Sequence, residues 1–228
     1  MANDRAYTMI TAHAGAENTP PNTLESLEAL AGCGADAVEL DVRAGDGGLV
    51  LSHNPLEMGV EYATLSDALD LIRRLNDRML VNIDLKEMDL TRRVWAEAEA
   101  CGMAGRLLFT GSVCPVDERF VKDVPAEIWY NQELLLPEER EAPLASVLRR
   151  GHRAINIHWP RVDLASLTPE TARHYSCWTL DDEAVISAFL RAGVLNITTR
   201  VPRRALALRD QIIPKDADTN LAGRHHTP

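Results

Sequence analysis

The feature that most restricts the fold of this chain is a regular alternation of short apolar segments with helical stretches. Eight segments have the composition of buried strands, and they lie at Met9–His13, Val38–Val42, Met79–Lys86, Arg106–Gly111, Glu127–Asn131, Ala154–Trp159, Tyr175–Leu180 and Val194–Thr199. Helical spacing of apolar residues separates them, as at Leu24, Leu27 and Leu30 and again over Asp182–Ala192. Parallel strands are joined by such crossover helices, and a count of eight predicts a closed (β/α)8 TIM barrel of the α/β class.

Length and composition agree with a single domain. A chain of 228 residues is typical of a barrel of this kind, and 46% apolar with 25% charged residues supports a sizeable core. We therefore expect one barrel over residues 1–213. The segment 214–228, rich in Asp, Asn, Gly and His, is expected to be a disordered tail. Nothing in the sequence indicates an oligomeric state.

The net charge and the composition of the N-terminus limit the kinds of molecule that this chain is expected to bind. A formal net charge of −10 argues against nucleic-acid binding, and an anionic small-molecule substrate would need local positive charge from a metal, Lys or Arg. The first residues lack the apolar core of a signal peptide, and no apolar run approaches the ~18 residues of a membrane span. We therefore expect a cytoplasmic protein without stable membrane insertion. The four cysteines have no zinc-type spacing and are expected to be reduced thiols.

Carboxylates repeat at strand spacing in the second and third predicted strands. Glu39 and Asp41 lie two residues apart, so a strand directs both to one face, and Asp84 and Lys86 repeat this spacing. Buried carboxylates without compensation are very costly. Three of them with a hard divalent ion would form an ordinary oxygen-ligand site for Mg²⁺ or Ca²⁺. The alternative is a salt-bridged network without metal.

Two histidines also fall where apolar segments end. His13 closes the first strand, and His53 closes a run that follows the Gly45–Gly48 turn, which predicts a hairpin-like extension of the second strand. In a barrel, groups at the carboxyl ends of neighbouring strands converge at one rim. Histidine can act as acid or base near neutral pH. Taken singly, each histidine could instead cap a strand end.

In these motifs the chain resembles the glycerophosphodiester phosphodiesterase family over nearly its whole length. His13-Ala14-Gly15 stands for the family's His-Arg-Gly, Pro21-Asn22-Thr23 for Glu-Asn-Thr, Glu39-Leu40-Asp41 for Glu-Leu-Asp, His53-Asn54 for His-Asp, Asp84-Leu85-Lys86 for the acidic-x-Lys strand and Trp178-Thr179 for Trp-Thr. Ala14, Pro21 and Asn54 are departures from the family pattern. They put substrate preference in question more than metal binding.

The resemblance implies a barrel of the phospholipase C-like phosphodiesterase type and a set of roles. Glu39, Asp41 and Asp84 would hold Mg²⁺ or Ca²⁺, and His13 and His53 would be the catalytic acid and base. Lys86 and Trp178 would bind substrate, although Trp178 could equally be barrel packing. Apart from the resemblance, His158 closes a predicted strand and is expected to bind substrate, or else simply to hydrogen-bond a loop. His152 and His174 are expected at the surface, and Arg43 could salt-bridge the carboxylate strand or reach substrate.

The implied function is a metal-dependent phosphoric diester hydrolase that cleaves a glycerophosphodiester, or a related phosphodiester, to an alcohol and a phosphomonoester. Such a role belongs to lipid metabolism. One alternative is a non-catalytic barrel that binds a phosphorylated small molecule, motivated by the three losses near the site. Another is a lyase that forms a cyclic phosphate, as in the sphingomyelinase D-like toxins related to this family.

Overall fold

The computed structural model describes residues 7–213, which form a closed barrel of parallel strands surrounded by helices. The strands are β1 (Met9–Ala12), β2 (Ala37–Gly45), β3 (Gly48–Leu51), β4 (Leu80–Leu85), β5 (Leu107–Gly111), β6 (Glu127–Asn131), β7 (Ala154–His158), β8 (Tyr175–Trp178) and β9 (Asn196–Thr199). Eight of them are parallel in the order β1-β9-β8-β7-β6-β5-β4-β2, and pairing of β1 with β2 closes the ring. The predicted (β/α)8 barrel is therefore confirmed.

The remaining strand, β3, lies outside the ring as the antiparallel partner of an extended β2. Val42 pairs with Leu51, and the turn is closed by Gly45 opposite Gly48, whose φ of 153° lies in a region that favours glycine. The hairpin brings the chain back over the carboxyl end of the barrel. His53 follows β3 by two residues and so lies near this rim.

Each parallel strand is followed by a helix that packs on the outside of the barrel. The helices are α1 (Leu24–Ala31), α2 (Leu65–Leu75), α3 (Thr91–Ala100), α4 (Pro115–Val121), α5 (Pro143–Arg149), α6 (Pro169–Ala172), α7 (Glu183–Ala192) and α8 (Pro202–Ile212). Thr23, Thr64 and Asp182 cap three of them by accepting hydrogen bonds from backbone N–H groups of the first turn. The main apolar core lies between the strands and this helical layer.

The interior of the barrel is filled by two different layers. Leu108, Trp129, Ala154 and Leu195 form a small apolar cluster. Polar side chains form a second layer, which we call the polar belt and which consists of Thr11, Asn196, Ser176, Asn156 and Asn131. Each belt residue is hydrogen-bonded to the next at 2.7 to 3.1 Å, so that the chain of bonds crosses five neighbouring strands.

Residues 214–228 lie outside the part of the chain that the structure describes, so the expected disordered tail stays a prediction. Within residues 7–213, no helix is long and apolar enough to cross a membrane.

Candidate active site

Three carboxylates meet inside the carboxyl end of the barrel because of the register between β2 and β4. Glu39 pairs with Asn82, and Asp41 pairs with Asp84, so the acidic side chains share one face of adjacent strands. One oxygen from each of Glu39, Asp41 and Asp84 lies within 4.8 Å of the others. Asp41 is 2% exposed. Three acidic groups are therefore held together in a largely buried position.

Two of the three carboxylates have partners in the protein. Lys86 places its Nζ 2.9 Å from Asp41 Oδ1 and 2.5 Å from Asp84 Oδ2. The Asn22 amide donates to Asp41 Oδ2 at 2.7 Å, and the Thr110 hydroxyl donates to Asp84 Oδ1 at 3.3 Å. In contrast, Oε2 of Glu39 is buried without a hydrogen-bond partner among residues 7–213. Buried oxygens are normally paired, and a cation or an ordered water is the kind of group that would satisfy this one.

Burial and mutual repulsion change the acidity of this group. Burial raises the pKa of Glu39 well above its ordinary range, and the negative charges of Asp84 and Asp41 act in the same direction. Burial also raises the pKa of Asp84, although Lys86 opposes this effect. Burial alone would lower the pKa of Lys86, but the attraction of Asp84 and Asp41 outweighs it and raises that pKa. The single positive charge of Lys86 therefore does not balance three ionised carboxylates.

Gly111, at the end of β5, is the residue that allows Asp84 its position. Its φ is 81°, and a Cβ at this residue would lie 2.3 Å from Asp84 Oδ1 and 2.3 Å from the Leu85 carbonyl oxygen. No side chain fits at those distances. Glycine is therefore required here both for the backbone conformation and for the space.

His13 presents one ring nitrogen to the carboxylate group. Its Nδ1–H donates to the carbonyl oxygen of Ala14 at 2.7 Å, so the neutral ring carries its proton on Nδ1 and leaves Nε2 as an acceptor. This Nε2 lies 3.9 Å from Glu39 Oε2. Burial lowers the pKa of His13. The ring is therefore in the neutral, proton-accepting form near neutral pH.

His53 reaches the site from the β2–β3 hairpin and is exposed. Its backbone carbonyl oxygen accepts a hydrogen bond from Arg43 at 3.1 Å, and its ring Nδ1 lies 3.3 Å from Asn54 Oδ1. Arg43 also bonds Glu87 at 3.0 Å. The arginine that could have paired with the carboxylate strand therefore anchors the segment that carries His53.

These groups line one cavity of about 400 Å³. Its walls include seven of the eight predicted site residues, namely His13, Glu39, Asp41, His53, Asp84, Lys86 and Trp178. His158 is not among the lining residues, and its ring instead packs on Trp178 with centroids 5.1 Å apart. The sequence prediction missed Arg200, which also lines the cavity. Its only sequence signal is its position directly after β9.

One histidine expected at the surface is buried. His152 is 9% exposed, its ring stacks on Tyr130 with centroids 5.0 Å apart, and its Nε2 lies 3.2 Å from a Glu118 oxygen. The expectation was wrong because Tyr130 of β6 and Glu118 of α4 pack against its ring. This histidine is not among the residues that line the cavity and belongs to the packing between the sheet and the helices.

Neither a protein-family profile nor a curated relative matches this sequence, whereas many solved structures match its fold. A glycerophosphodiester phosphodiesterase from Parabacteroides distasonis superposes with a TM-score of 0.74 at 19% identity, covering 91% of this chain and 98% of that one. The fold is that of the glycerophosphodiester phosphodiesterases.

Two further solved structures have the same architecture. The enzyme from Agrobacterium tumefaciens gives a TM-score of 0.69 at 19% identity and covers 90% of this chain and 100% of that one. A phosphodiesterase from Oleispira antarctica, solved in complex with the product sn-glycerol-3-phosphate, gives 0.69 at 20% identity with 89% and 96% coverage. At these identities the likeness to glycerophosphodiester phosphodiesterases establishes the fold.

Proposed function

We propose that this protein is a metal-dependent phosphodiesterase that hydrolyses a glycerophosphodiester, or a related phosphodiester, to an alcohol and a phosphomonoester. The observation that carries the proposal is the buried trio of carboxylates facing His13 and His53 in one cavity. Chains of the same fold include a phosphodiesterase with bound sn-glycerol-3-phosphate. That product supports a small phosphodiester as the substrate class here.

The residues present fit a hard divalent cation, Mg²⁺ or Ca²⁺. Glu39, Asp41 and Asp84 would supply oxygen ligands, and Oε2 of Glu39, which has no hydrogen-bond partner among residues 7–213, is a buried oxygen that such an ion would satisfy. When bound, such an ion neutralises charge that develops on the phosphate oxygens. Lys86 and Asn22 fix the orientation of Asp41. Thr110 does the same for Asp84, so two of the three ligands are held before the ion binds.

The two histidines take the proton-transfer roles. Nε2 of neutral His13 accepts the proton of the attacking water as the new P–O bond forms. His53 gives a proton to the alcohol oxygen as the bond between that oxygen and phosphorus breaks. The buried, neutral character of His13 and the exposed position of His53 support this division of roles.

Other lining residues shape the substrate pocket. Lys86 supplies positive charge beside the carboxylates, and the Trp178 ring forms an apolar wall that His158 backs. The losses at Ala14, Pro21 and Asn54 motivate the alternative of a non-catalytic binding barrel. The retention of both histidines at one cavity favours catalysis over binding alone.

The experiment is a turnover assay of the metal-stripped chain with Mg²⁺ or Ca²⁺ restored. Glycerophosphocholine, glycerophosphoethanolamine and bis(p-nitrophenyl) phosphate are the substrates, with products followed by ³¹P NMR. We expect release of a phosphomonoester only with metal, and its loss in His13→Ala and His53→Ala. His174→Ala, which changes a histidine outside the cavity, is the matched control.

Three results would separate the alternatives. Ligand binding without turnover on every diester would support the binding barrel. A cyclic phosphate that persists would support the lyase. Unchanged rates in both cavity histidine variants would refute the mechanism.

A further inference from the structure

Among the cavity-lining side chains of the described part of the chain, the permanent positive charges are Lys86 and Arg200. Lys86 is already committed, since its ammonium contacts both Asp41 and Asp84 and its side chain is 16% exposed. Its charge therefore offsets the carboxylates and is not free to meet an incoming anion. Arg200 is the remaining candidate for that task.

Arg200 is held at the rim by its backbone and by one carboxylate. Its N–H donates to Asp181 Oδ1 at 2.8 Å, and its Nη1 lies 2.9 Å from Asp181 Oδ2. The Arg200 carbonyl oxygen accepts a hydrogen bond from the N–H of Glu17 at 2.8 Å. The preceding residue, Thr199, accepts from the N–H of His13 at 2.9 Å. Arg200 is therefore fixed beside the turn that follows His13.

The guanidinium of Arg200 is open to a ligand. Its side chain is 54% exposed, and the contacts described for it occupy only Nη1. It lines the same cavity as His13 and the three carboxylates, so its charge lies within reach of a ligand bound there. A guanidinium presents several N–H donors in a planar fork that matches two oxygens of a phosphate.

The charge of the substrate makes such a group necessary. Three carboxylates with one lysine and one divalent ion would leave the site near neutrality, whereas a phosphodiester is an anion and a phosphomonoester product carries up to two negative charges. The residue after His13 is Ala14, which is buried and has no charge to offer. The positive charge that attracts the substrate must therefore come from a residue at the rim of the cavity.

We propose that Arg200 binds the phosphate of the substrate through its guanidinium and that Asp181 positions it for this contact. This inference rests on the proposed function and adds to it a substrate-binding residue. A purely structural Arg200, which tethers β9 to the turn after β1, would act through its backbone. That tether would survive a side-chain substitution.

The test compares Arg200→Gln and Arg200→Lys with Arg203→Gln as the matched control. Arg203 lies on α8, carries the same charge and is not among the residues that line the cavity. Isothermal titration of inorganic phosphate into the metal-treated protein and kcat/KM on the best diester are both measured. Thermal melting verifies the fold.

We expect Arg200→Gln to weaken phosphate binding and to lower kcat/KM by about 10- to 100-fold, the range for losing a charge-assisted hydrogen bond. Most of the loss should appear in KM. Arg200→Lys should recover part of it, and Arg203→Gln should match wild type. An unchanged phosphate affinity in Arg200→Gln would overturn the inference even if the chain hydrolyses diesters. A second outcome would separate the two proposals. If the wild-type protein hydrolyses no diester but Arg200→Gln binds phosphate more weakly than wild type, the phosphate contact is supported and the hydrolase proposal is refuted.

Discussion

Replacing Glu39 with Gln should stabilise the metal-free protein and abolish its stabilisation by metal. The substitution keeps the size of the side chain and removes one of three crowded charges. At an effective dielectric constant of about 20, two carboxylate charges no more than 4.8 Å apart repel by about 3.5 kcal/mol or more. Glu39 has two such neighbours, and the charge of Lys86 offsets part of the total.

The net gain for Glu39→Gln without metal should therefore be about 1 to 3 kcal/mol at neutral pH. For a chain of this size each kcal/mol corresponds to about 2–4 °C in Tm. In wild type, a divalent ion at about 1,000 times its Kd should add about 4.1 kcal/mol. Glu39→Gln lacks one carboxylate ligand, so metal should add little to its free energy of unfolding. The order of the two melting temperatures should thus reverse when metal is added.

The pH dependence follows from the raised pKa of Glu39. Folding favours the protonated carboxyl, so this contribution to stability is fully present below the ordinary value of 4.5 and is lost as the pH rises through the raised value. The advantage of Glu39→Gln in EDTA should therefore grow from pH 4.5 upward.

The assay is thermal and urea unfolding from pH 5 to 8, in EDTA, Mg²⁺ or Ca²⁺. Glu28→Gln, which changes an exposed glutamate on α1, is the control and should behave as wild type. The reasoning is wrong if wild type is more stable than Glu39→Gln in EDTA at pH 8. It is also wrong if both proteins respond equally to metal.

The remaining predictions concern catalysis and the glycine beside Asp84. His13→Ala and His53→Ala should each lower kcat by about 10²–10⁴-fold while keeping the metal-induced rise in Tm, and loss of that rise would point to a structural role instead. In a plot of kcat/KM against pH, the fall on the acid side should have its midpoint below pH 6.5. Burial lowers the pKa of His13, and this residue stops acting as the base only when its ring is protonated. A midpoint above pH 6.5 would contradict the assignment of His13 as the base. Gly111→Ala should displace Asp84 and weaken metal binding at least tenfold in a titration. It should also lower the free energy of unfolding in urea by about 2 kcal/mol or more. Gly105→Ala is the control, because a Cβ at that residue meets no atom within 4 Å, and it should change neither measurement.

The barrel could be predicted from sequence because strand spacing and strand number are local signals. Short apolar runs define eight strands, and the closed ring follows from their number. The sequence does not delimit four of the helices individually, namely α4, α5, α6 and α8. α4 and α5 contain seven residues and α6 contains four, so each has too few turns for apolar periodicity to register.

The predicted site residues were found where strands end, since the carboxyl edge of a parallel barrel collects such groups. Sequence could not foresee that Lys86 would bind two carboxylates at once, because that depends on the register between β2 and β4. Nor could it single out Arg200 from the other arginines, whose side-chain directions are set by tertiary structure. The burial of His152 depended in the same way on neighbouring helices.

The polar belt has a consequence for how this sequence can change over time. Asn131, Asn156, Ser176, Asn196 and Thr11 each depend on a neighbour from another strand, so an aliphatic replacement of one leaves another buried group without a partner. Such positions are expected to evolve together as a set. Because these bonds join strands only, substitutions on the outer faces of the helices leave the polar belt intact.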